Sequence, residues 1–122
     1  MYDNFLIFLR YNVIVMKIEY QNEEIEAFIK YGIAKSNPYR KWRSNEALRR
    51  NIDKVMRILM GCSKCEELKN YGQLAYEKLT FDRIGQSSVR LGYKTKYRLI
   101  FMEMGSGILI RIIEISEHYG DK

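Results

Sequence analysis

The spacing of the apolar residues changes once along this 122-residue chain, close to Gly61. Before that glycine, apolar side chains recur every three to four residues, as on one face of an α-helix, and after it they alternate with polar ones, as in half-buried strands. Short links between successive strands join antiparallel neighbours. The pattern therefore predicts an α+β domain in which helices cover one face of an antiparallel sheet.

Before Gly61 the sequence predicts one strand and two helices. Residues 13–20 are β-branched and apolar with a period of two, which is typical of a strand. Asn22 then caps a helix that runs to about Lys35, because an asparagine side chain accepts a hydrogen bond from a free amide of the first turn. A second helix follows the Ser44-Asn45 pair and ends at the glycine.

After Gly61 the sequence predicts four strands, at residues 74–79, 87–91, 96–103 and 107–115. Gly105-Ser106-Gly107 is typical of a hairpin turn between the last two. With the N-terminal strand, the sheet has about four to five strands. A chain of this length folds as a single domain.

The first 15 residues precede this pattern. Met16 opens the first self-sufficient strand, so residues 1–15 are either an N-terminal extension before a usable start at Met16 or an extra strand or turn. The domain itself then spans residues 16–122. No secretory signal is recognisable, and no apolar run approaches the roughly 18–20 residues that span a bilayer. We therefore expect a cytoplasmic domain with no membrane partner.

Cys62 and Cys65 have the C-x2-C spacing found in metal sites. A structural zinc site requires four ligands, whereas this chain has no second cysteine pair and one histidine. We expect two thiols in a loop or at a strand edge, and no metal.

The net charge of +6 is concentrated in two segments. Six basic residues and one acid lie between Lys78 and Arg98, and seven basic residues and two acids lie between Arg40 and Arg57. A polyanion such as RNA responds to local charge density rather than to the net charge of a protein. The two segments therefore point to an anionic partner.

Arg90 and Arg98 fall on neighbouring predicted strands, with Tyr93 and Tyr97 close by. Guanidinium groups bind phosphates and aromatic rings stack on bases, so one surface is expected to offer both. The alternative is that the basic residues only solvate an exposed face and that Tyr97 belongs to the core.

His118, the one histidine, follows the last predicted strand. Its neighbours are Tyr119 and the acids Glu114 and Glu117. Because histidine titrates near neutral pH, it is a candidate acid or base, and the alternative is an ordinary surface side chain.

Four short segments occur in the order found in one toxin family, at residues 76–79 (YEKL), 87–91 (SSVRL), 96–101 (KYRLIF) and 113–119 (IEISEHY). They resemble HigB toxins of the RelE/ParE superfamily. The similarity also takes in residues 16–20 and 68–72, and it covers about residues 16–120. It implies the RelE-like fold. HigB toxins are ribosome-dependent endoribonucleases that cut mRNA in the A site without a metal or other cofactor, whereas ParE toxins share the fold and poison DNA gyrase.

The resemblance also implies site residues. Arg90 and Arg98 match the phosphate-binding arginines, Lys78 matches a basic position of the preceding strand, and His118 and Tyr119 match the polar C-terminal pair. Further candidates for RNA or phosphate binding are Arg83, Lys94, Lys96 and Tyr97. Attack of a ribose 2′-OH on the adjacent phosphate needs a base, cationic stabilisation and a proton for the leaving 5′-oxygen. Several HigB toxins end in Tyr-His and this chain has His-Tyr, so Glu117 remains an alternative to His118.

The partners implied are a cognate antitoxin, HigA-like and with a helix-turn-helix or an acidic segment, and the 70S ribosome with its mRNA. Operator DNA is expected to be contacted only through the antitoxin. Two alternatives stay open: a ParE-like inhibitor of DNA gyrase, and an inactive module that binds RNA or the antitoxin.

Overall fold

A computed structural model describes residues 15–117. The N-terminal extension, apart from its last residue, and the pair His118 and Tyr119 lie outside this range. The described chain contains five strands and three α-helices, in the order β1 (Lys17–Tyr20), α1 (Glu23–Tyr31), α2 (Tyr39–Trp42), α3 (Glu46–Gly61), β2 (Glu77–Lys78), β3 (Gln86–Arg90), β4 (Arg98–Met104) and β5 (Leu109–Ser116).

The five strands form one sheet in the order β1-β5-β4-β3-β2. Neighbours are antiparallel from β2 to β5, as predicted, but β1 runs parallel to β5. The hairpin rule fixes direction only for strands that follow one another closely, and β1 and β5 are far apart in sequence. The α+β class is therefore confirmed, with a mixed sheet.

Asparagine caps begin both longer helices, as the sequence predicts. Asn22 accepts a hydrogen bond from the Ile25 amide at 3.0 Å, and Asn45 accepts one from the Leu48 amide at 3.0 Å. Helix α1 ends at Tyr31 rather than near Lys35, because the next residue, Gly32, has φ = 69° and closes the helix in the left-handed conformation.

The helices pack on one face of the sheet through a single apolar cluster. It includes Phe28 and Leu48 from the helices and Leu99, Phe101 and Ile112 from the strands. This burial fixes which face of each strand is free for other uses.

Both cysteines lie in the connection that follows α3, as expected for loop thiols, and both are buried in this core. Cys62 and Cys65 are 2% and 1% exposed. Burial, reinforced by nearby Glu103, raises the pKa of Cys65 to about 12, so its thiol stays protonated. Within residues 15–117 no helix is long and apolar enough to cross a membrane.

Strand β2 is shorter than predicted, at two residues instead of six. Residues 72–74 form a turn of 3-10 helix, and Ala75 follows with φ = 46°. The predicted strand at residues 74–79 is therefore wrong over most of its length.

Candidate nucleic-acid interface

The side of β3, β4 and β5 opposite the core residues Leu99 and Phe101 carries Arg90, Arg98 and Ser116, and we call it the polar face. Arg90 lies directly opposite Arg98, and Arg98 directly opposite Ser116. Residues in such register share a face. One row across three strands therefore holds both candidate arginines and ends at the last residue of β5.

Arg98 is buried in this row, with none of its surface exposed. Its Nε donates to Ser88 Oγ at 2.8 Å, and its Nη2 donates to the carbonyls of Ala75 at 2.6 Å and Ser88 at 3.3 Å. The expectation that Arg98 shares an open surface with Arg90 is wrong, because backbone carbonyls of the segment before β2 take up its hydrogen bonds.

Arg90 is half-buried, and its side chain makes no hydrogen bond or ion pair among residues 15–117. Its side chain lines a cavity of about 270 Å³ with Lys54 and the 77%-exposed Tyr93. A guanidinium with its donors uncommitted is suited to binding a phosphate.

Arg83 spans the polar face from the turn before β3. Its guanidinium donates to Gln86 Oε1 at 2.7 Å and to Glu114 Oε2 at 2.6 Å. Because Gln86 is on β3 and Glu114 is on β5, the side chain bridges the two neighbours of β4. Sequence reasoning had no signal for this pairing, which joins residues 31 apart.

Glu117 lies between two lysines just beyond the row. Lys96 Nζ is 3.2 Å and Lys41 Nζ 3.8 Å from its carboxylate oxygens. Lys96 also lies 5.7 Å from the centre of the Tyr97 ring. Tyr97 packs edge-on against Trp42 and the core, so the core reading of Tyr97 is the one the structure supports.

Lys94 accompanies Tyr93 in the hairpin between β3 and β4. Its Nζ lies 5.4 Å from the centre of the Tyr93 ring. The exposed aromatic ring of this hairpin is therefore Tyr93, which the sequence placed beside the arginines, rather than Tyr97.

Lys78 is not on the polar face. It is in register with Ser87, which is opposite the core residue Phe101, so Lys78 belongs to the helix side of the sheet. It lines a separate cavity of about 370 Å³ with Tyr76 and Glu103. The structure therefore separates Lys78 from Arg90 and Arg98.

Glu103 is the polar centre of that second cavity. Its carboxylate accepts hydrogen bonds from the Tyr76 hydroxyl and, at 2.6 Å, from Ser87 Oγ. Burial and this carboxylate raise the pKa of Tyr76. Sequence reasoning missed the cluster, because its three members come from different strands or turns.

Comparison with known proteins establishes the fold. No family model and no curated protein matches the sequence. Among solved structures, the chain is similar to a YoeB/ParE toxin from Agrobacterium tumefaciens, with a TM-score of 0.52, 19% identity, and coverage of 85% of this chain and 100% of that one. A YoeB dimer from Staphylococcus aureus gives a TM-score of 0.46, 17% identity, and coverage of 85% and 98%.

The chain therefore has the fold of the YoeB/ParE toxin from Agrobacterium tumefaciens. This confirms the expected fold. The likeness is one of fold and does not single out HigB.

Proposed function

We propose that this chain is the toxin of a type II toxin–antitoxin system and a ribosome-dependent endoribonuclease that cleaves A-site mRNA, arresting translation in the cytoplasm. The observation that carries the proposal is the row of Arg90, Arg98 and Ser116 on a toxin-type sheet. His118 and Tyr119 follow Ser116 by two and three residues in the sequence.

The proposed chemistry needs no cofactor. The ribose 2′-oxygen bonds to phosphorus, the bond from phosphorus to the 5′-oxygen breaks, and the products are a 2′,3′-cyclic phosphate and a 5′-hydroxyl. Arg90 stabilises the charge that builds on the phosphate, because its donors are uncommitted. Arg98 adds a buried positive charge in the same row.

His118 acts as acid or base in this proposal, since a neutral imidazole accepts a proton and an imidazolium returns one to the leaving oxygen. Tyr119 stacks on a base or donates a hydrogen bond. Arg83, Lys94 and Lys96 bind neighbouring phosphates. A cognate antitoxin is the proposed partner that neutralises this surface by charge complementarity.

The test is to add the protein to a translating extract and map mRNA ends by primer extension. We expect ribosome-dependent cuts with 5′-hydroxyl ends. His118→Ala should lower the cleavage rate by about 10²–10⁴-fold, and Arg90→Ala by about 10²–10³-fold. Arg57→Ala, at an exposed position of α3, is the control and should cut as the wild type does.

A ParE-like action on DNA gyrase is the second candidate, because the name of the Agrobacterium structure joins YoeB and ParE. Broken plasmid DNA with intact mRNA would replace the endonuclease proposal by this one. If translation continues and the DNA stays intact, the remaining alternative is an inactive module that binds RNA or the antitoxin.

A further inference from the structure

A groove of about 270 Å³ lies between α3 and the hairpin of residues 91–97. Its floor is apolar: Val55 and Leu74 are buried and Ile58 is half-buried. Its rim is polar and includes two cationic side chains. A ligand that fits it needs both an apolar part and a negative charge.

Gly92 brings the two walls of the groove together. It has φ = 112°, and a Cβ there would lie 2.3 Å from Asn51 Nδ2. Only a residue without a side chain permits this approach of the hairpin to α3. The groove is thus built into the packing of the fold.

The cations of the rim come from the two basic segments of the sequence. Lys54 belongs to the first and Arg90 to the second. Neither side chain makes a hydrogen bond or ion pair within the described chain, and no described lining residue is an acid. Their charge is therefore left for an external anion.

The remaining rim groups suit a nucleobase. Tyr93 is 77% exposed and offers an aromatic face, and the amides of Asn51 and Gln73 carry both hydrogen-bond donors and acceptors. Single-stranded RNA is bound in this way elsewhere, with bases stacked on aromatic rings and phosphates held by cations.

We propose that this groove binds one nucleotide of single-stranded RNA, with the base against Tyr93 and the phosphate held by Lys54 and Arg90. The identification of RNA rests on the proposed function. The groove extends the site from the sheet to α3 and gives Lys54, which sequence reasoning did not single out, a part in substrate binding.

The experiment measures binding of a fluorescent 2′-O-methyl RNA oligonucleotide by anisotropy over a range of salt concentrations. The methyl group removes the nucleophile, so binding is read without cleavage. Lys54→Gln should weaken binding and lower the slope of log K against log salt by about 0.7, the value for one lost contact to a single strand.

Tyr93→Ala should weaken binding roughly five- to a hundredfold with the slope unchanged, because a stacking contact is lost but no charge. Tyr93→Phe keeps the ring and should bind as the wild type does. Lys17→Gln is the charge-matched control, since Lys17 lies on β1 at the other edge of the sheet.

Equal binding by the Lys54→Gln and Lys17→Gln variants would overturn the proposal, and so would wild-type binding by Tyr93→Ala. If the Lys54→Gln and Tyr93→Ala variants lose antitoxin binding but keep RNA binding, the proposal is also overturned. The groove would then bind a protein. If the wild-type protein cuts no mRNA and these variants still bind RNA more weakly, RNA binding by the groove is supported and the endonuclease proposal is refuted.

Discussion

The guanidinium of Arg98 is fully buried and donates hydrogen bonds to oxygens of Ala75 and Ser88. Burying a charge is costly unless hydrogen bonds compensate for the lost water. The same side chain therefore supplies positive charge to the site and ties the segment before β2 to β3.

Arg98→Ala should lower the free energy of unfolding by about 2–4 kcal/mol, because two buried carbonyls lose their donor and a cavity replaces the side chain. Urea unfolding followed by circular dichroism measures this. A change in any activity of this variant would therefore have to be compared with its loss of stability.

Arg90→Ala is the matched comparison on the opposite strand. Because the Arg90 side chain has no hydrogen bond or ion pair in the described chain, its loss should change the free energy of unfolding by no more than about 0.5 kcal/mol. A large loss of stability in this variant would contradict the finding that the Arg90 guanidinium makes no hydrogen bond in the described chain. Arg90 is thus the better residue for testing activity.

Gly92→Ala should destabilise the protein by about 1–3 kcal/mol, because the new Cβ meets Asn51 at 2.3 Å and φ is 112°. Gly72→Ala is the control: nothing lies within 4 Å of its Cβ position, and its φ is not in the left-handed range. Thermal melting compares the two, and equal melting temperatures would contradict the close packing at residue 92.

At the scale of elements, α3 depends on its cap. Asn45→Ala should lower the free energy of unfolding by about 1 kcal/mol, because the amide of Leu48 loses its acceptor. Asn70→Ala, at an exposed position with no hydrogen bond in the described chain, should have an effect below about 0.5 kcal/mol. Urea titration of both variants is the measurement.

The elements that the sequence predicts well are those whose pattern is local. Helix α3 has its cap, its apolar stripe and Gly61 in one stretch, and β3, β4 and β5 are five, seven and eight residues long. Residues 74–79 are also predicted as a strand, but Arg98, 23 positions away, binds the carbonyl of Ala75 within a turn. A contact at that separation leaves no local signal.

At the scale of the molecule, stability should fall in alkali. Burial raises the pKa of Cys65 from 9.0 to about 12. Between these values the unfolded chain releases the thiol proton and the folded chain keeps it, so stability falls as pH rises, and below pH 9 this contribution is constant. Tyr76, whose pKa is also raised, acts in the same direction above pH 10.

Cys65→Ala should therefore make the decline in the urea midpoint between pH 9 and pH 12 shallower than in the wild type. Equilibrium unfolding at a series of pH values measures it. An unchanged decline would mean that the Cys65 thiol titrates normally in the folded protein.

Only part of the candidate site can be predicted from the sequence. Basic residues cluster along the chain, which predicts an anionic partner, and the strand pattern places Arg90 on the sheet. Which cations meet depends on strand register and on the position of α3, so the sequence does not predict it: Lys54 of α3 shares a cavity with Arg90, whereas Lys78 lines a different one.

The parallel pair of β1 and β5 bears on the order of biosynthesis. The first strand described has β5, the last strand described, as its partner in the sheet. Such non-local pairing delays folding until both partners are present. A nascent chain therefore cannot complete this sheet until residues 109–116 have left the ribosome exit tunnel.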